Sequence, residues 1–194
     1  MKGERFAWAQ RFMRSVVLWI LPVSVVWVLL TPIYNPFLSQ ATENLVRMTE
    51  SPKVTRLLDK GPDHFVITRT DFPTSKGWLY SVRTTDAHFN FIMLGAFFLA
   101  VPGIPWRNRL ENLLWAALVA VFFHILLLFC WVKFAYATQL GDWSSQHYSS
   151  LQINGWGLAK HLMDLPFKFA LPFVLWAGFY IRHLLPSTGD ESAT

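Results

Sequence analysis

Leu113-Leu-Trp-Ala-Ala-Leu-Val-Ala-Val-Phe-Phe-His-Ile-Leu-Leu-Leu-Phe-Cys-Trp-Val-Lys-Phe-Ala-Tyr-Ala137 decides the fold, because no ionised side chain interrupts it before Lys133. A hydrocarbon core about 30 Å thick takes about 20 helical residues to cross. Lipid offers no partner to a bare backbone amide, so a crossing segment must be helical. Three more apolar stretches share this character: Ser15–Tyr34, Phe89–Ile104 (extended to Ala87 at one end) and Leu165–Leu185. The expectation is a mainly α membrane protein with four transmembrane helices, at 15–34, 87–104, 113–137 and 165–185. The second is the shortest. No nucleotide-binding loop, complete metal-ligand set or nucleophile motif is visible.

Composition agrees. Residues of the apolar class make up 53% of the 194, against 15% charged, and ten Trp and seventeen Phe are many for this length. A soluble domain carries more charge. Trp19, Trp27, Trp106, Trp115, Trp131, Trp156 and Trp176 fall in or near the apolar stretches, where aromatic rings anchor helices at the membrane interface. The net charge of +5 does not imply nucleic acid. The basic residues flank the apolar stretches, where they orient spans and meet anionic lipid. A single cysteine, Cys130, excludes an internal disulfide and a cysteine-based zinc site.

Lys2, Arg5, Arg11 and Arg14 precede the first stretch as in a signal peptide. The apolar run is too long for one, and Thr31-Pro-Ile-Tyr-Asn-Pro-Phe37 offers no small-x-small cleavage site, so a retained anchor is expected. These four residues, Arg107 and Arg109 in the 105–112 turn, and Arg182 lie on one side if the spans alternate. The positive-inside rule then puts both termini in the cytoplasm of a bacterial inner membrane and the loops 35–86 and 138–164 in the periplasm.

In the first of those loops, Phe37, Ala41, Leu45 and Met48 recur at helical spacing opposite Gln40, Glu43, Asn44 and Arg47. That predicts a short amphipathic interfacial helix over 36–49. Val54–Asp59, His64–Thr70 and Trp78–Thr84 read as strands of a β-meander spanning 54–84, separated by Gly61-Pro62-Asp63 and by Pro73–Gly77. Three strands need a surface to cover one face, supplied by the membrane helices or by a partner. In the second loop, Leu158, Leu162 and Leu165 suggest a helix lying along the membrane. The tail 186–194 is polar.

His124 lies mid-span, where ionisable groups are costly and often functional. One reading is axial ligation of a tetrapyrrole, haem or (bacterio)chlorophyll, with Ala120 one turn earlier leaving room for the macrocycle, similar to the Ala-x-x-x-His pattern of light-harvesting polypeptides. Another is a neutral imidazole bonded to a neighbouring helix. A proton relay or quinone role is a third. His88 and His161 belong near the outer face and His183 near the inner one, so no histidine is expected at the depth of His124. Asp86, His88, Asn90, Lys133, Tyr136, His161, Asp164 and Lys168 are all expected at the outer face. Two histidines and two carboxylates at one depth suit a divalent metal or acid–base work, or simply snorkelling and pairing. Cys130 has only Lys133 within a turn to activate it.

The N-terminal anchor, the β-rich segment, the run His88-Phe-Asn-Phe-Ile-Met-Leu-Gly-Ala-Phe-Phe-Leu-Ala-Val-Pro102, the basic turn at Arg107 and Arg109, and Leu171-Pro-Phe-Val-Leu-Trp176 in the last stretch together resemble the exosortase H-associated small multi-span membrane proteins. That resemblance implies a place beside a bacterial protein-sorting system. The exosortase peptidases themselves carry a membrane Cys, Arg and His set. Here Cys130 is followed by Trp131 rather than Ser-Gly, and the partnering arginine is missing. The implied role is therefore a non-enzymatic accessory or assembly subunit whose partners are other integral membrane proteins and the bilayer, with no nucleic acid. The competing expectations are a cofactor-binding subunit built on His124, and a membrane enzyme or transporter built on the outer cluster.

Overall fold

A computed structural model describes residues 2–61, 63–71 and 78–184. The chain is mostly helical and carries one small sheet. Its elements are α1 (Lys2–Met48), β1 (Thr55–Asp59), β2 (His64–Arg69), β3 (Trp78–Arg83), α2 (Thr85–His88), α3 (Phe91–Ala100), α4 (Trp106–Thr138), α5 (Asp142–His147), α6 (Ser150–Leu162) and α7 (Lys168–Leu184). Phe6–Met48, Trp106–Thr138 and Ser150–Ile181 are long and apolar enough to cross a membrane, and Thr85–Ala100 is a shorter apolar helical segment.

The first expected span does not stop at Tyr34. α1 runs unbroken for 47 residues, with Pro22, Pro32 and Pro36 inside it, so the expected separate helix at 36–49 is its continuation. At about 1.5 Å per residue it is about 70 Å long, far more than an apolar layer needs. The face it buries is also not the one expected. Asn35, Leu38, Ser39, Thr42, Glu43 and Val46 turn inward, while Phe37 and Met48 are exposed.

That inward face meets the sheet. The strands pair antiparallel in the order β1-β2-β3, with Leu57 opposite Ile67 and Phe65 opposite Val82. Their boundaries match the expected meander, apart from the Pro73–Gly77 separator, of which 73–77 lie outside the described residues. Leu57, Phe65, Ile67 and Val82 pack on Leu38 and Val46 of α1 and on Leu127, Leu128, Val132 and Tyr136 of α4. The chain's own helices therefore cover the sheet. β1 is an edge strand, and unpaired edge amides invite foreign strands. Here Glu50 accepts from the Thr55 amide (3.2 Å) and Glu43 from the Leu57 amide (2.9 Å). Arg47 and Arg56 both reach Glu43 at 3.3 Å.

The second expected span, 87–104, is divided. α2 ends at His88, and α3 is only ten residues, about 15 Å, before Val101 turns extended. Gly103, at φ +82, takes the left-handed turn that side chains resist. Arg109 donates to the Leu99 carbonyl (2.7 Å) and the Ile104 carbonyl (2.8 Å), closing the expected tight hairpin into α4. Most of α3 is buried.

The region 138–164, expected as a loop, is largely helical. Ser149 and Gln152 form a reciprocal capping box at the start of α6. A π-turn at Met163–Phe167, containing Pro166, then joins α6 to α7. A proline supplies no amide, and a π-turn is one way to carry it without ending the helix.

α3 approaches α1 through Gly95, where an added Cβ would sit 2.7 Å from Val23 Cγ1. Val23 is β-branched and stiff, so it cannot swing aside. Gly95→Val should lower stability by about 1–3 kcal/mol, the usual cost of overpacking. Thermal unfolding in mild detergent measures it; an unchanged midpoint would remove this contact from the account.

Candidate functional site: a histidine pair inside the helical bundle

Four segments meet at two buried imidazoles. α1 presents Trp27 and Tyr34, seven residues apart and hence two turns along one face, with Asn35 beside them. α2 supplies His88, the turn into α3 supplies Asn90, and α4 supplies His124. Trp27 Nε1 donates to His88 Nδ1 (3.0 Å), and His88 Nε2 meets Asn35 Oδ1 at 2.7 Å. An indole nitrogen can only donate. His88 therefore accepts at Nδ1 and carries its proton on Nε2.

His124 repeats the arrangement. Its Nδ1 lies 2.9 Å from the Tyr34 hydroxyl and its Nε2 2.8 Å from Asn90 Oδ1. Asn90 Nδ2 donates to the Lys168 carbonyl at 3.1 Å, which fixes the amide's orientation. Asn90 thus turns its oxygen to His124, Nε2 holds the proton, and Tyr34 donates to Nδ1. Each imidazole is a neutral Nε2–H tautomer clasped between an aromatic donor and an asparagine acceptor. The two ring centres are 6.2 Å apart, and both residues are buried.

This pairing corrects the expectation that no histidine shares the depth of His124. That expectation aligned the helix ends. α4 has 33 residues against 16 for Thr85–Ala100, and its surplus stands beside the sheet. His88 therefore faces the middle of α4.

The tetrapyrrole reading does not fit. Both nitrogens of His124 are engaged, and Phe91 closes on its ring edge-on at 4.8 Å. Ala120, expected to leave room for a macrocycle, is packed among Leu94, Phe98 and Tyr180. Beside the pair, between α1 and α4, runs an apolar groove of about 630 Å³ bordered by Leu30, Tyr34, His88, Leu114 and Ala117.

The expected cluster of Asp86, His88, Lys133, His161 and Asp164 is split four ways. His88 joins the pair. Lys168 Nζ bonds Asp164 Oδ1 (2.7 Å) and the Asp86 carbonyl (3.2 Å), while Lys160 approaches Asp164 Oδ2 at 3.9 Å and lies over the Trp131 ring. Asp86 and Asp164 border a hollow with His64 and Arg83, but His161 sits on the exposed side, its ring 6.4 Å from that of Phe134. Among the described residues no group of three potential metal ligands comes together. Lys133 and Tyr136 lie under the sheet instead. Cys130 is buried in α4.

Near the sheet, burial pushes the Asp63 carboxyl up, but the Thr85 hydroxyl and the Arg83 guanidinium (2.7 Å) outweigh it and hold the group below its ordinary range.

No protein-family model, no curated protein and no solved structure matches this chain.

Tyr34 and Asn90 both serve His124, so their removal should be coupled. Tyr34→Phe and Asn90→Ala should each lower stability, by about 1–3 kcal/mol where a buried polar partner is stranded. The double variant should depart from additivity by at least about 0.5 kcal/mol. Additive losses in detergent unfolding would mean that the two residues do not share an imidazole. For the excluded ligand, haem added to the purified chain should give the same absorption spectrum with wild type and His124→Leu.

Proposed function

We propose that this chain is a non-enzymatic accessory or assembly subunit of a bacterial inner-membrane complex, beside a protein-sorting system of the exosortase type that its layout resembles. In this reading the chain crosses four times, with Thr85–Ala100 as the short second passage. Both termini are cytoplasmic and the sheet is periplasmic. Its partners are integral membrane proteins.

The observation that carries the reading is the shape of α1. It touches the bundle along one stripe and turns Leu18, Leu21, Leu29 and Ile33, each at least 70% exposed, away from it. Lipid can cover that stretch, about 23 Å long, but α1 runs on at both ends and leaves Phe6, Phe37 and Met48 exposed outside it. The polar side chains around His88 and His124 meanwhile bind one another. Such an arrangement suits a part that holds a shape and offers a surface. A metal or acid–base role for the predicted His/Asp cluster gains no support, because Lys160 and Lys168 flank Asp164 and His161 stands apart from His88.

Replacing Leu21, Leu29 and Ile33 together by alanine should leave the unfolding midpoint within about 1 kcal/mol of wild type, since these side chains are exposed. The same change should reduce recovery of co-purifying membrane proteins from mild detergent. A wild-type chain that elutes alone and monodisperse counts against the proposal.

A further inference from the structure

A second cleft, of about 210 Å³, opens where the end of α1, β2, the end of α4 and the α5 region converge; Glu50, Arg69, Lys133, Tyr136, Trp143 and Tyr148 border it. Its walls carry both signs of charge, in an unusual state.

Lys133 is only 9% exposed. Its ammonium faces the Phe129 ring at 5.5 Å, and among the described residues it makes no hydrogen bond or ion pair. Glu50 acts on it from across the cleft without touching it, and a charge in so confined a place is costly until it is paired directly. Glu50 is the complement. Its carboxylate accepts from the Thr55 amide and hydroxyl, both neutral donors, and makes no ion pair among the described residues. The remaining cation is matched internally. Arg69 forms a two-pronged pair with Asp71, at 2.7 and 3.0 Å, and holds that carboxyl below its ordinary range. Its guanidinium also stacks over Trp143 at 4.4 Å and Tyr136 at 5.1 Å, a cation–π contact that stiffens the wall.

One positive and one negative group therefore face each other across a single cleft without forming a direct ion pair. We propose that the cleft binds a zwitterion that pairs an oxyanion with an ammonium, of which phosphoethanolamine is the type. Its phosphate meets Lys133, and its ammonium meets Glu50. The source is either a membrane lipid headgroup or a free small molecule. Lys133 stands five residues before the end of α4 at Thr138, about 7–8 Å along the helix. The cleft is thus close to where an apolar helix leaves the lipid.

The full chain in mild detergent tests this by thermal unfolding, with three probes: soluble O-phosphoethanolamine, micelles doped with phosphatidylethanolamine or phosphatidylglycerol, and inorganic phosphate. A saturable upward shift is expected with at least one phosphoethanolamine-bearing probe. It should exceed the affinity for inorganic phosphate or phosphatidylglycerol by about tenfold, roughly the worth of one charged hydrogen bond. A response to the lipid alone identifies a headgroup, a response to the soluble probe alone a free metabolite, and either supports the site. Lys133→Met should abolish the response while leaving the ligand-free chain folded with a cooperative unfolding transition, because the ammonium makes no hydrogen bond or direct ion pair among the described residues. Glu50→Gln, which keeps an acceptor for Thr55, should narrow the gap between phosphoethanolamine and inorganic phosphate. The proposal is overturned if neither phosphoethanolamine probe shifts the midpoint, if Lys133→Met binds as wild type does, or if inorganic phosphate binds equally well.

Discussion

The bundle depends on the rule that a polar group surrounded by hydrocarbon must find its partner inside the protein. Trp27 and Asn35 on α1 bond His88 of α2, while Tyr34 on α1, Asn90 before α3, His124 on α4 and the Lys168 carbonyl on α7 form a second chain of hydrogen bonds, the two meeting where the imidazole rings lie 6.2 Å apart. Each helix that contributes is held to at least one other by a bond whose alternative is an unpaired group in lipid. Apolar contacts between membrane helices discriminate poorly, because lipid tails are equally good company. Directional bonds fix which helix stands where, and at what height.

The same logic operates at the sheet end with different chemistry. A three-stranded meander has two edges and too little core of its own. Two carboxylates from the end of α1 and the turn after it answer the amides of one edge, and the apolar face lies on α1 and α4. The sheet and α1 are therefore one mechanical unit, which explains why α1 extends so far beyond what an apolar layer requires.

Much of this was legible in the sequence. The β-branched and aromatic content of His64-Phe-Val-Ile-Thr-Arg69 located the central strand, and Pro102-Gly-Ile-Pro105 located the hairpin into α4, because both signals are local. The continuity of α1 was not. Pro32, Asn35 and Pro36 look like a loop, yet Asn35 is an acceptor for His88 and belongs inside the bundle. The start of α6 was visible in principle: Ser149-Ser-Leu-Gln152 is a capping box, overshadowed by the polar residues around it. The histidine pair was half legible. His124 and His88 each stood out, but their meeting depends on the unequal lengths of α4 and its neighbour. A sign that was present, and passed over, is the recurrence of Trp27, Thr31, Tyr34 and Asn35 along one face of an apolar helix. Lys133 illustrates the opposite error, since proximity in depth to Asp86 and Asp164 did not bring it to their side of the bundle.

The π-turn at Met163–Phe167 sets the direction in which everything after it points. One surplus residue in a helical turn advances the phase of the following helix by about 100°. α6 can therefore lie against α4 through one face while α7 turns a different face to α3, bringing the carbonyl of Lys168 to Asn90 and its ammonium to Asp164. A single-residue deletion there would leave the helix intact and merely rotate its far half, presenting lipid-facing phenylalanines to the bundle and carrying the lysine out to the hydrocarbon.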